Sequence, residues 1–174
     1  MKIGVISDIH DHLNNLEKAI NILNNEKVEL VIFCGDLSSP FVIEHFRRLK
    51  VPVKAVFGNN EGDKVNILKK VEESGLNFEY APKQGLMWDL KLAGKRLAVF
   101  HGRQQEITDA LVNGGLFDIV LTGHTHSFHI KKLKNTLWVN PGTVVGWAGL
   151  DFKTVKPTMA IVSLKTKEGE IVYL

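Results

Sequence analysis

"KIGVISDIH", residues 2–10, begins as an apolar, β-branched run and ends in a polar exit, Ser7–Asp8–Ile9–His10. The run predicts a short buried strand. A helix is predicted after it, because Leu13, Leu16, Ala19, Ile20 and Leu23 recur at helical spacing over Leu13–Asn24. The alternation then repeats. "ELVIFCG" (29–35) reads as a second buried strand, Phe41–Leu49 as a helix stopped before Pro52, and "VKAVFG" (53–58) as a third strand. Asp63–Ser74 reads as a helix with Val65, Leu68 and Val71 on one face and Gly75 as its C-terminal stop. Strands and helices in alternation are the signature of βαβ units and a parallel sheet.

The second half has a different rhythm. "GLMWDLKLAGKRLAVFHG" (85–102) suggests two strands joined at Ala93–Gly94–Lys95, and Gln105–Val112 a helix. "DIVLTG" (118–123) is a strand with a polar exit. His129–Leu133, Leu137–Asn140, Thr158–Leu164 and Glu170–Leu174 read as further strands, with hairpins that would make the second sheet mixed. The expected architecture is an α/β sandwich of two sheets flanked by helices.

The chain as a whole sets bounds. Its 174 residues suit one domain, 1–174, with a real core. Hydrophobic residues at 44% and charged residues at 24% are ordinary for a globular protein. A net charge of +3 is too small to argue for a nucleic-acid partner, and Lys131, Lys132 and Lys134 read as a solvated face. The lone Cys34 cannot form an internal disulfide and reads as a small core residue. No stretch is long and apolar enough to span a membrane, and no signal peptide is evident, so a cytoplasmic protein is expected.

The polar residues cluster at strand exits. The first strand ends at Asp8–Ile9–His10, the second at Gly35–Asp36, the third at Gly58–Asn59–Asn60–Glu61, the "LAVF" strand at His101–Gly102 and the "DIVL" strand at Gly123–His124–Thr125–His126. Singly, each has an ordinary reading as a turn cap, a surface histidine or turn chemistry. Jointly, the ordinary reading needs five independent accidents. Ligands bind open α/β sheets outside the carboxyl ends of strands. Glycine there lets backbone pass close to a crowded centre. Two carboxylates, four histidines and one amide oxygen suit Mn, Fe, Zn, Co or Ni rather than Ca. Seven donors exceed what one ion with an open position takes, and suit two ions sharing a bridging carboxylate.

The ordered set Asp8-x-His10, Gly35–Asp36, Gly58–Asn59, His101 and Gly123–His124-x-His126 resembles the calcineurin-like metallophosphoesterase superfamily. The chain length and "NPGT" (140–143) are similar to its small YfcE-type phosphodiesterase branch. The resemblance spans essentially the whole chain. It implies a four-layer α-β-β-α sandwich of two mixed sheets, with a dinuclear site at the sheet ends. It implies one metal held by Asp8, His10, Asp36 and His126, and a second by Asp36, Asn59, His101 and His124, with Asp36 bridging. Manganese is the first expectation, with Ni, Co, Fe or Zn as alternatives.

The chemistry implied is hydrolysis of small phosphodiesters by a metal-bridging hydroxide. Two ions offset by two carboxylates leave a net positive site that favours a phosphoryl group. Asn59 and Arg103 are candidate phosphate contacts, Arg103 as a bidentate clamp weighed against a surface arginine. Asn60 stands where many members carry a histidine that protonates the leaving oxygen, and an uncharged amide cannot do so. Asp11 and His12 border the first loop. Glu61 is read as a helix N-terminal residue, Asn140–Pro141–Gly142 as a turn shaping the pocket rim, and Trp138 and Trp147 as core or interface. The alternatives are a phosphomonoesterase or nucleotidase, or a protein-interaction scaffold similar to Vps29 with weak activity. The expected partner is a small phosphodiester, with no membrane and no specific nucleic acid; a homodimer is left open.

Overall fold

A computed structural model describes residues 1–149 and 151–174, with residues 83 and 84 described by their backbone alone. In chain order the elements are strand β1 (Lys2–Ile6), helix α1 (Leu13–Asn25), β2 (Leu30–Phe33), a 3₁₀ segment (Pro40–Arg48), β3 (Val53–Ala55), α2 (Lys64–Ser74), β4 (Phe78–Tyr80) and a short α3 (Pro82–Gly85). There follow β5 (Met87–Leu92), β6 (Lys95–Phe100), α4 (Gln105–Asn113), β7 (Ile119–Leu121), β8 (His129–Leu133) and β9 (Thr136–Asn140). The last are β10 (Trp147–Ala148), β11 (Lys153–Thr154), β12 (Thr158–Ser163) and β13 (Glu168–Tyr173).

Six strands form one sheet in the order β13-β12-β1-β2-β3-β4, and five form another in the order β5-β6-β7-β9-β8. Side chains alternate across each strand, so every central strand serves two cores. Ile3, Val5, Leu30 and Ile32 of the first sheet meet Leu97, Val99, Ile119, Leu121, Leu137 and Val139 of the second. The outward faces are covered by helices. Ile6, Val31 and Phe33 pack under Leu16, Ile20 and Leu23 of α1 and under Val42, Ile43 and Phe46 of the 3₁₀ segment. On the far side Ala98 and Val120 pack against Val112 of α4. The result is the four-layer α-β-β-α sandwich.

Several expectations are corrected. Phe41–Leu49 winds as a 3₁₀ segment, held at its end by the Leu49 N–H to the Phe46 carbonyl at 2.9 Å. Ser39 precedes that segment without a side-chain capping bond, because its hydroxyl is committed to Asp11 at 2.5 Å. In α2 the face carrying Val65 and Leu68 points outward, at 77% and 44% exposure; Ile67 is its buried apolar residue. That helix is polar overall and needs only a narrow apolar stripe, Ile67 and Val71, four residues apart. Asp63 caps it by accepting from the Asn66 N–H, and Gly75 ends it in the left-handed conformation at φ 65°. The C-terminal strands join the first sheet rather than the second: β12 lies antiparallel to β1, with Ile3 opposite Val162. Strand β4, helix α3 and the β10–β11 hairpin are not predicted by the sequence patterns; each is four residues long or shorter, or paired in two-residue strands.

The topology positions the site. β1, β2 and β3 run parallel in one sheet, and β6 and β7 run parallel in the other. The five polar exits therefore leave their sheets at carboxyl ends. Cross-links pin those ends together: the Asp8 N–H to the Gly35 carbonyl at 2.9 Å, and the Gly123 N–H to the His101 carbonyl at 2.8 Å.

Candidate metal centre

Asp8, Asp36 and His101 are buried, and His10, His124 and His126 are partly so. Asp8 Oδ1 lies 3.2 Å from His126 Nε2 and 3.9 Å from His10 Nε2, and the two imidazole Nε2 atoms are 3.2 Å apart. Asp36 Oδ2 is 3.5 Å from His10 Nε2 and also 3.5 Å from His101 Nε2. Among the described residues two groups have donor atoms mutually within 4.8 Å: Asp8, His10 and His126, and Asp8, Asp36 and His101. Asn59 joins the second group through Oδ1, 3.0 Å from His101 Nε2. His124 stands edge-on to His101, with ring centres 5.0 Å apart.

The outer nitrogens of two histidines are already committed. His101 Nδ1 lies 2.7 Å from the Cys34 carbonyl, and His126 Nδ1 bonds the Trp147 carbonyl. A carbonyl only accepts, so Nδ1 carries the proton in both and each Nε2 lone pair faces the centre. The carboxylates differ from each other. Asp36 accepts from the Asn60 backbone N–H at 2.7 Å and from Asn60 Nδ2 at 2.8 Å. Asp8 Oδ2 accepts from the His124 N–H at 3.0 Å, whereas Asp8 Oδ1 is buried without a hydrogen-bond partner. An unpaired buried carboxylate oxygen is costly, and a cation is what would offset it. The residues present therefore fit a divalent ion.

Charge coupling ties the same residues together. Burial pushes the Asp8 carboxyl up, but its contact with His126 and the charges of His101 and His126 hold it below the usual carboxylate value. Burial opposes protonation of His126, yet its contact with Asp8 and the Asp8 charge leave that imidazole raised. Burial lowers both His10 and His124, against the pull of the two aspartates.

Backbone strain marks the same residues. Asp8 (φ 55°), His10 (43°), Asp36 (63°), His124 (69°) and His126 (55°) all occupy the left-handed region. Such backbone is uncommon outside glycine and clusters at functional sites. The glycines beside them are required for space. A Cβ at Gly58 would run into the Asp36 carboxylate, and one at Gly123 into Ser7 Oγ.

A family model for the calcineurin-like phosphoesterase superfamily domain matches residues 1–167. The chain belongs to that superfamily. Among the relatives of this superfamily member, a phosphodiesterase of Methanocaldococcus jannaschii is 35% identical over 177 residues, spanning 100% of this chain and 99% of the relative. A solved structure described as a novel archaeal phosphodiesterase superposes with a TM-score of 0.88 at 33% identity, covering both chains fully. The phosphoesterase YfcE of E. coli shares the fold, with a TM-score of 0.65 at 18% identity over 99% of this chain and 98% of its own.

The calcineurin-like chain thus brings six of the seven sequence-predicted ligands into direct contact or near contact, with His124 against His101. Arg103 is exposed and does not line the cavity beside the centre. Asp11 braces the first loop by accepting from the Ser39 N–H at 2.9 Å, and His12 caps α1. Asn140 holds the His124 loop: its Nδ2 donates to the Gly123 carbonyl at 2.7 Å, and its Oδ1 accepts from the Gly142 N–H at 2.9 Å. Trp138 packs in the outer core as expected, but Trp147 does not; it lines the cavity and lies 4.9 Å from the rings of both His10 and His126.

Glu61 corrects the sequence reading. It precedes α2 and is buried, and its Oε1 accepts from the N–H groups of Asp36 at 2.8 Å and Leu37 at 3.2 Å. It is a clamp on the turn that presents Asp36. The available signal was an acid bracketed by Gly58 and Gly62 in a short polar loop. Glu61→Ala would leave two buried donors unpaired, at about 1–3 kcal/mol each. Expected are a lower melting temperature and metal affinity reduced about 10–100-fold. Glu61→Gln keeps an acceptor oxygen and is expected to lose much less. Thermal melts and metal titrations of the two variants check this; equal behaviour of Ala and Gln would refute the clamp.

Proposed function

We propose that this superfamily member is a divalent-metal-dependent phosphodiesterase that uses two ions. The observation that carries the reading is the convergence of imidazole Nε2 atoms on Asp8 Oδ1, a buried carboxylate oxygen without a hydrogen-bond partner. The full-length likeness to a phosphodiesterase supports the substrate class. Asp8, His10, Asp36 and His126 would hold one ion, and Asp36, Asn59, His101 and His124 the other. The equal 3.5 Å distances from Asp36 Oδ2 to histidines of both sets support Asp36 as the shared ligand. Manganese is the first choice for this mixed donor set, with Ni, Co, Fe or Zn next. When bound, the ions supply Lewis acidity, activating the attacking water and neutralising charge on the phosphoryl oxygens.

The chain's own residues prepare that chemistry. The Cys34 and Trp147 carbonyls fix the His101 and His126 tautomers, so neither ring must reorient on loading. Asn60 and Glu61 hold the Asp36 carboxylate and its backbone. Cys34 is buried and its thiol is pushed well above the ordinary value, so it supplies no nucleophile. The cavity beside the centre is about 830 Å³ and is lined among the described residues by no lysine or arginine. A singly charged diester suits it better than a doubly charged monoester, which favours diesterase over nucleotidase. Arg103 receives no role in this reading. The scaffold alternative would leave seven converging donors, five of them in strained backbone, without a use.

Among the described residues no helix is long and apolar enough to cross a membrane. The reading takes a small phosphodiester as partner and the cytoplasm as its setting. Dialysis against a chelator is expected to abolish hydrolysis of an aryl phosphodiester, with Mn²⁺ restoring it and Ca²⁺ failing to. Full turnover by protein shown metal-free by elemental analysis would overturn the proposal.

A further inference from the structure

The β10–β11 hairpin carries two aromatic side chains that no step above uses. Its strands pair antiparallel, Trp147 opposite Thr154 and Ala148 opposite Lys153, and its base is tied by the Val155 N–H to the Gly146 carbonyl at 3.1 Å. The segment leading into it is bound to the first metal loop, through the Val144 N–H to the Ser7 carbonyl at 3.0 Å and the Val145 N–H to the Asp8 carbonyl at 3.1 Å. The bond from His126 to the Trp147 carbonyl ties the hairpin to the last loop as well. The hairpin is therefore anchored to the centre on two sides.

Its aromatics form a wall running outward from the ligands. Trp147 lies against His10 and His126, and Phe152 stands edge-on to Trp147 with ring centres 4.9 Å apart and planes at 66°. Both line the cavity. Phe152 is 64% exposed and sits at positive φ (52°), so it is neither core nor in a relaxed backbone. One exposed ring is ordinary by itself, but Phe152 packed on Trp147 gives the cavity beside the candidate metal centre a continuous apolar face. The rest of the lining is polar and includes Ser38, Asn59, Asn60, Glu61 and Thr125.

We propose that Phe152, backed by Trp147, is the binding platform for a flat aromatic group esterified to the phosphate. This rests on the phosphodiesterase reading and narrows its substrates to aryl or nucleoside phosphodiesters. The phosphoryl group goes to the metal centre and the ring of one ester arm lies on Phe152. With no lysine or arginine in the lining among the described residues, the arm that fits carries no further negative charge. Phe152 then acts on binding rather than on the reacting atoms, so it is a specificity residue and its removal raises KM more than it lowers kcat.

Two monoanions whose methoxide leaving group makes them slow to react isolate the ring: methyl benzylphosphonate and methyl methylphosphonate, which differ by one phenyl group. Calorimetric titration of the Mn²⁺-loaded protein is expected to show the benzyl compound binding at least about fivefold tighter, the lower end of ring stacking. Phe152→Ala is expected to collapse that ratio towards one. Phe152→Leu, which keeps apolar bulk without a ring face, should do the same if the alanine variant fails to fold, and Phe152→Tyr should restore the preference. An unchanged ratio in the Ala and Leu variants would overturn the platform and leave the phosphodiesterase reading standing. Failure of the natural, metal-loaded protein to bind either compound or to hydrolyse any diester would overturn that reading, and the platform with it.

Discussion

Asp36→Ala is expected to lower kcat/KM for an aryl phosphodiester by roughly 10³-fold or more, since losing several kcal/mol of charge stabilisation corresponds to that range. The expectation follows from position. Asp36 Oδ2 is equidistant from His10 and His101, which the proposed assignment gives to different ions, so its removal is expected to weaken both. His10 belongs to only one group, and His10→Ala is expected to cost less, on the order of 10²-fold. Metal content measured on the purified variants should fall to one ion or below for Asp36→Ala. Loss of fold is not the expected cause. Asp36 lies near a second buried acid, Glu61, whose carboxyl is pushed up first by burial and then by the Asp36 charge. Removing one of two neighbouring buried carboxylates relieves repulsion in the metal-free state, which offsets the loss of the acceptor for the Asn60 N–H and Nδ2 donors. Asp36→Asn, which keeps an acceptor oxygen there, should hold its melting temperature in chelator even as activity disappears. A variant that keeps two ions and normal turnover would show that the ligand assignment is wrong.

The second large effect concerns the leaving group. The family resemblance puts Asn60 where many members carry a histidine that can protonate it, and Asn60 is engaged elsewhere. Its backbone and side-chain N–H groups both donate to Asp36. Of the other lining residues, Ser38 and Thr125 are hydroxyls; Glu61 Oε1 is spent on backbone donors and its Oε2 is buried without a partner. General acid help is typically worth about 10²–10⁴-fold. Without it the rate should depend steeply on leaving-group pKa, with nitrophenyl diesters fast and alkyl diesters slow. Asn60→His is expected to flatten the slope by helping basic leaving groups most. The gain will be partly offset, because the side-chain donor to Asp36 Oδ2 is lost. Measuring kcat/KM across an aryl and alkyl series, for both proteins, provides the test. A shallow slope in the natural protein would mean that another group already supplies the proton.

Much of this was legible in the sequence because strands end abruptly. A buried apolar run such as Leu30–Phe33 must stop where Gly35–Asp36 begins, so the exit residues announce themselves. Helical periodicity likewise located α1 from Leu16, Ala19, Ile20 and Leu23, all of them buried. It misjudged α2, where apolar residues are too sparse for the pattern to say whether Val65 or Ile67 turns inward. The C-terminal strands were visible as strands, but not their sheet. Pairing of β12 with β1 joins residues near opposite ends of the chain, such as Ile3 and Val162, and no local pattern encodes such a partner.

The chain by itself pointed to the class of fold, to seven candidate donor residues and to the kind of chemistry they would suit, because each rests on residue type and short-range order. Only the tertiary structure decided which donors meet, and how. The parallel directions of β1, β2, β3, β6 and β7 bring the exits to one edge; left-handed backbone at five candidate ligands and close-packed glycines fit them together there. Glu61 and Phe152 were misread or passed over for the same reason. Their roles depend on what lies across space, the N–H groups of Asp36 and Leu37 in one case and the ring of Trp147 in the other, and sequence neighbours carry no trace of either.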